Sequence, residues 1–246
     1  MKAYRLFPIV YLVLTTFIHG AFDSRLVSYE MGDTLFESTV IWKSGDKGAA
    51  RPGILMVPNW MGPTEASLEK AKMVAEMGYV VMMVDMYGVD VRPTNSSEAG
   101  AAAGTLRKDR PEMRARSAKA LHEFKALDGI PLDESRIAAI GFCFGGGTVL
   151  ELARSGAEVD AVISFHGDLV SPTLERDAGK VTSKVLVLHG ADDPYVPQDH
   201  VSQFIDAMES TEVDWQLVQF SNTVHSFTNP NADAVGKSDY NPVSSK

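Results

Sequence analysis

Two runs, Val80-Val81-Met82-Met83-Val84 and Val185-Leu186-Val187-Leu188, constrain this chain more than any other feature. Neither alternates apolar with polar residues, so each reads as a strand buried on both faces, the situation of a parallel sheet with helices on either side. Strands are expected at residues 37–42, 54–58, 79–85, 136–142, 161–165, 184–189 and 214–220. Between them, helical spacing marks 67–77 through Leu68, Ala71, Val74 and Ala75, with Gly78 just past its end. The same spacing marks 114–127 (Ala118, Leu121, Leu127) and 198–208 (Val201, Ile205, Met208). The alanine-rich stretch 96–110 reads either as a helix over a site or as a surface helix. This alternation predicts an α/β fold with a mostly parallel central sheet, right-handed crossovers, and ligands at the carboxyl ends of the strands.

A length of 246 residues suits one such domain, and neither a repeat nor a linker divides the chain. The beginning has a different character. Lys2 and Arg5 precede an apolar stretch without charge, Leu6 to Ile18, which closes in His19-Gly20-Ala21. That layout predicts a secretory signal over residues 1–21, leaving 22–246 as the folded domain of an exported, periplasmic or secreted protein. The stretch is shorter than the roughly 20 apolar residues of a membrane span, so no stable membrane association is expected. With 32 acidic against 23 basic residues and a net charge of -9, the surface repels phosphate backbones, which argues against nucleic acid as a partner.

The chain has one cysteine, which cannot form an internal disulfide. Cys143 lies in Gly141-Phe142-Cys143-Phe144-Gly145, between an apolar strand and a helix expected at 148–153. This is the cysteine form of the nucleophile elbow, in which the glycines let neighbouring backbone pass close to a strained turn. The side chain then stands at a helix N-terminus, where dipole and free N–H groups favour negative charge. Such surroundings lower a thiol pKa and stabilise an oxyanion.

A nucleophile of this kind needs a carboxylate and a histidine, which follow it in that order in α/β-hydrolases. Asp192 and Asp193 both stand in the turn after the strand at 184–189. His225, in the polar loop after the last strand, alone satisfies the order. His166 and His189 precede the acid, and substitution of either is expected to affect mainly stability. His166, Asp168, His189, Asp192 and Asp193 all lie near strand ends and are alternative candidates for metal ligands, but no dense ligand motif supports them and no metal is expected.

At this point the chain resembles the dienelactone hydrolase family across Val27 to Pro230. The resemblance rests on 51–60, 78–81, 85–88, Gly141 to Gly147, Ser164-Phe165-His166-Gly167, His189 to Pro197 and His225-Ser226-Phe227. It implies an α/β-hydrolase, monomeric or weakly associated and without cofactor. It also implies a Cys143–Asp193–His225 triad and an oxyanion hole from the N–H groups of Phe144 and Trp60. The chain departs from the family's pattern in three places. Asn59 stands where a thiol-activating glutamate is common, and Asn229 where an arginine holds the substrate carboxylate. Asn59 and Arg92 are the candidate substrate contacts. The sequence also stops soon after Tyr240-Asn241, where relatives continue into a helix that packs on the sheet. Apolar strand surface is then expected to lie open, as in a truncated form of a longer protein. The expected activity is hydrolysis of a small ester or lactone. The alternative is an inactive hydrolase fold used for binding.

Overall fold

In this computed structural model, residues 21–45 and 49–246 are described; the predicted signal segment lies outside them except for Ala21. An eight-stranded sheet forms the centre, in the order β1 (Phe22–Met31), β2 (Thr34–Lys43), β4 (Val80–Met83), β3 (Arg51–Val57), β5 (Leu132–Phe142), β6 (Ala161–Phe165), β7 (Lys184–Gly190) and β8 (Trp215–Phe220). From β4 to β8 every neighbouring pair is parallel, while β1 and β2 run antiparallel at one edge. The helices are α1 (Glu65–Glu76), α2 (Ser96–Lys108), α3 (Arg110–Lys125), α4 (Phe144–Arg154), α5 (Leu174–Ala178) and α6 (Gln198–Glu209).

The strand β1 has no clear signal in the sequence, because it is half polar and buries only Val27 and Tyr29. It pairs along its whole length with β2 through a two-residue turn in which Gly32 has a φ of 60°. Helix boundaries follow local chemistry. Asn95 caps α2 by accepting from the N–H groups of Ser97 and Glu98, and Asp109 both ends α2 and caps α3 by accepting from Glu112.

Helices lie on both faces, but unequally. Residues from α2 to α6 join one large apolar cluster with Leu55, Val57, Val162, Val185 and Val187; α1 covers the second face through Ala71 and Ala75, against Ile41, Met56 and Val81. The strand β4 is buried throughout, as its unbroken apolar run predicts. The expectation for β7 needs correction. Val185 and Val187 are buried under the larger helical layer, whereas Leu186 and Leu188 on the opposite face are only half-buried. Among the described residues no helix covers that half of the second face, and none follows α6. Ile163 and Phe165 on β6 are half-buried for the same reason, and Val218 on β8 is exposed. After β8 the chain closes with a small hairpin, β9 (Asp233–Ala234) and β10 (Ser238–Asp239).

Candidate active site

The apolar strand β5 ends at Phe142, and α4 begins at Phe144. The single residue between them, Cys143, has φ 55° and ψ −116°, a conformation that costs an L-residue of order 1–3 kcal/mol. Neighbouring backbone makes that turn possible only because of glycine. A Cβ on Gly141 would lie 2.0 Å from the carbonyl oxygen of Gly145, and one on Gly145 would lie 2.1 Å from that of Val57. No side chain caps α4, so its first N–H groups remain for the site; that of Phe144 donates toward the Cys143 thiol.

The turn after β7 carries Asp193, and the loop after β8 carries His225. The buried Asp193 carboxylate accepts from His225 Nδ1 through Oδ2 at 2.7 Å and from the Tyr195 N–H through Oδ1 at 2.8 Å. Asp192, the other candidate, is exposed and meets the loop only through its backbone, donating to the Thr223 carbonyl. With Nδ1 on Asp193, His225 turns its other nitrogen to the thiol, its second hydrogen-bond partner. The His225 backbone is braced by the Lys237 carbonyl and the Asp239 N–H.

Electrostatics couple these groups. Burial disfavours a charged Cys143, but the hydrogen bond and charge of His225, then the Arg107 charge and the Phe144 N–H, outweigh it and hold the thiol below its ordinary range. Burial likewise disfavours a charged His225, yet its bonds to Asp193 and Cys143 push it up to about 10. Both shifts favour the thiolate–imidazolium form of the pair.

Other expected contacts sit differently. Asn59 folds back to accept from the Met61 N–H at 3.0 Å, closing a local turn. The same loop is held by the Tyr87 hydroxyl, which donates to the Trp60 carbonyl at 2.9 Å. Arg92 is committed to the fully buried carboxylate of Asp85 at 2.8 Å and to the Gly88 carbonyl, so its fork organises the loop after β4. Asn229 uses its side chain to accept from the Asn231 N–H. The histidines and aspartates that were candidate metal ligands have separate partners, with Asp168 on Arg107, His166 on Thr228 and Asp193 on His225.

Sequence reasoning missed Arg107. Its Nε donates to Asp168 at 2.6 Å, and its guanidinium lies over the Phe144 ring, 5.7 Å from the centroid. It comes from α2, the alanine-rich stretch, which passes over the site with Gly100 beside the Trp60 indole. Ala99 and Ala103 are fully buried, so small residues bring this helix close. That run of small residues was the available signal.

A mostly parallel sheet with a sharp strand–nucleophile–helix turn, and an acid and a histidine on later strand ends, is the architecture of an α/β-hydrolase. A profile of the dienelactone hydrolase family matches residues 40–246. A dienelactone hydrolase-like promiscuous phosphotriesterase from metagenomic libraries is 36% identical, covering 92% of this chain and 93% of that one with a TM-score of 0.83. A dienelactone hydrolase from Anabaena variabilis shares the fold at 19% identity, covering 84% of this chain and 89% of that one with a TM-score of 0.64. An uncharacterized Caenorhabditis elegans protein is 32% identical over 119 residues, 46% of this chain and 73% of that relative. The chain belongs to the dienelactone hydrolase family and is a hydrolase of the ester and lactone class.

Proposed function

We propose that the protein hydrolyses a small ester or lactone through a Cys143 acyl-enzyme. The observation that carries this reading is the coupled set of a strained, activated thiol and a His225 bonded to Asp193 at 2.7 Å. The thiolate attacks the acyl carbon, and the carbonyl electron pair moves to oxygen, where the N–H groups of Phe144 and Trp60 hold it. Collapse breaks the bond to the alkoxy oxygen, which takes the His225 proton; in a lactone that alcohol stays tethered to the acyl group. Water then gives a proton to His225 and attacks the thioester, and collapse releases the acid and restores the thiolate. Asp193 keeps the imidazole in one orientation throughout.

The experiment is hydrolysis of p-nitrophenyl acetate, a small lactone and a phosphotriester, the last because one relative bears that activity in its name. Cys143→Ala is expected to abolish turnover, and Cys143→Ser to leave only a small residue of it, because a hydroxyl is far less ionised than a thiol. An alanine variant as active as the wild type would refute the mechanism. We further propose that residues 1–21 direct export. Intact mass of the mature protein is expected to lack them, and a retained Met1 would contradict this.

A further inference from the structure

Among the described residues, four that are not glycine have positive φ: Cys143, His166, Asn222 and Ser226. Cys143 is the elbow, Ser226 follows the catalytic histidine, and Asn222 lies in the loop that carries it. His166, at φ 41°, has no place in the chemistry above, yet it is almost fully buried in the middle of the site. A left-handed histidine is costly, and such strain persists where surrounding contacts enforce it.

Those contacts are specific. The imidazole Nδ1 accepts from the Cys143 backbone N–H at 3.1 Å, a donor that it shares with the Phe165 carbonyl at 3.0 Å. Because Nδ1 is an acceptor, the proton of the neutral ring sits on Nε2, which donates to Thr228 Oγ1 at 3.0 Å. The ring meets His225 edge-on at 4.9 Å between centroids and Phe227 at 5.2 Å. One side chain thus grips the nucleophile's backbone with one nitrogen and the loop of the general base with the other. Lys70 reinforces the second contact, since its ammonium donates to the Thr228 carbonyl at 3.0 Å and lies over the Phe142 ring.

We infer that His166 is a positioning residue that clamps the strained Cys143 turn to the 225–228 loop and so sets the distance between thiol and base. This rests on the reading of Cys143 as nucleophile and His225 as base. The clamp requires a neutral ring, since a proton on Nδ1 would face the Cys143 N–H donor to donor. Burial first, then the positive charges of His225 and Lys70, keep His166 well below the usual histidine range, so it stays neutral while His225 is charged. Two adjacent histidines hold different charge states, one neutral and one cationic, because only His225 has a carboxylate partner.

The test compares His166→Ala, His166→Asn and Thr228→Val, with Cys143→Ala in parallel. Asparagine presents Oδ1 near the place of Nδ1 and tolerates the left-handed backbone, so it restores the acceptor without the ring. The contacts to Cys143 and Thr228 replace the expectation from chain order that His166 matters mainly for stability. In folded His166→Ala, kcat for p-nitrophenyl acetate is expected to fall on the order of 10–10²-fold with little change in KM, the range that small misplacements of reacting groups cost. The pH midpoint of Cys143 alkylation by iodoacetamide is expected to rise. His166→Asn is expected to recover much of both, and Thr228→Val to lower kcat several-fold. Wild-type kcat and alkylation profiles in His166→Ala would overturn the clamp, as would an asparagine variant no better than alanine when both are folded. If the alanine variant does not fold, Thr228→Val decides, and wild-type behaviour there overturns the clamp. An active Cys143→Ala would instead strike the nucleophile reading itself, whatever His166 does.

Discussion

At the residue scale, Cys143 sits under opposing forces, with burial against the thiolate and His225, Arg107 and the Phe144 N–H for it. The balance has a sign that can be measured. Alkylation tracks the thiolate fraction, which grows as pH rises through the thiol pKa, so a lowered pKa moves the onset toward acid. Iodoacetamide is therefore expected to modify the free protein rapidly near pH 7. Slow alkylation that accelerates only with a substrate analogue would refute constitutive activation. Asn59 bears on this, because its side chain closes its own turn and leaves activation to His225. In His225→Ala, burial is left with less opposition, so the onset is expected to shift toward alkali. Turnover is expected to fall on the order of 10²-fold or more, as for loss of a positioned base. If His189→Ala were the inactive variant instead, the assignment of the base would fail. The nucleophile and base proposed here could be picked out in the sequence because a glycine-flanked turn and a fixed chain order leave few candidates. Asp193 over Asp192 rested on family likeness; the structure separates them by burial, with Asp193 inside and Asp192 in water.

At the scale of elements, the elbow is a close approach between the end of β5, the start of α4 and the end of β3. Gly145→Ala would place a Cβ against the Val57 and Pro58 carbonyl oxygens at 2.1 and 2.4 Å, and backbone cannot yield as a side chain does. The variant is expected to lose about 3 kcal/mol or more, measured by urea denaturation, together with its activity. Gly104→Ala on α2, where a Cβ meets nothing within 4 Å, is expected to be neutral or to stabilise by up to about 1 kcal/mol. Equal losses in the two would contradict the steric account. The elbow's glycines could be read from sequence because their spacing is local. The strand β1 could not, since its polar residues suit an edge and its partner is decided by pairing.

Across the whole molecule, the two faces of the sheet are unequal. Leu55, fully buried beneath the larger helical layer, is expected to cost about 2–5 kcal/mol as Leu55→Ala. Leu186→Ala, on the thinly covered half of the other face, is expected to cost less, about 1 kcal/mol, because part of its surface already meets solvent. Equal losses on urea denaturation would mean that the second face is covered in solution. That face includes Leu186, Leu188, Ile163 and Phe165, all half-buried, and the exposed Val218.

What the sequence determined by itself was local or ordered along the chain: the apolar runs of a parallel sheet, the Gly-x-Cys-x-Gly turn, and an acid and histidine downstream. These are contiguous patterns, and adjacent residues carry their physics. The tertiary structure alone decided what depends on which strand ends meet. It committed Arg92 to Asp85, brought Arg107 from α2 over Phe144, and set His166 between the Cys143 backbone and Thr228. Arg92 and Asp85 lie in one loop, but the other partners are separated along the chain by distances that no spacing rule spans. Parallel strands bring them together because every connection returns the next carboxyl end to the same edge of the sheet.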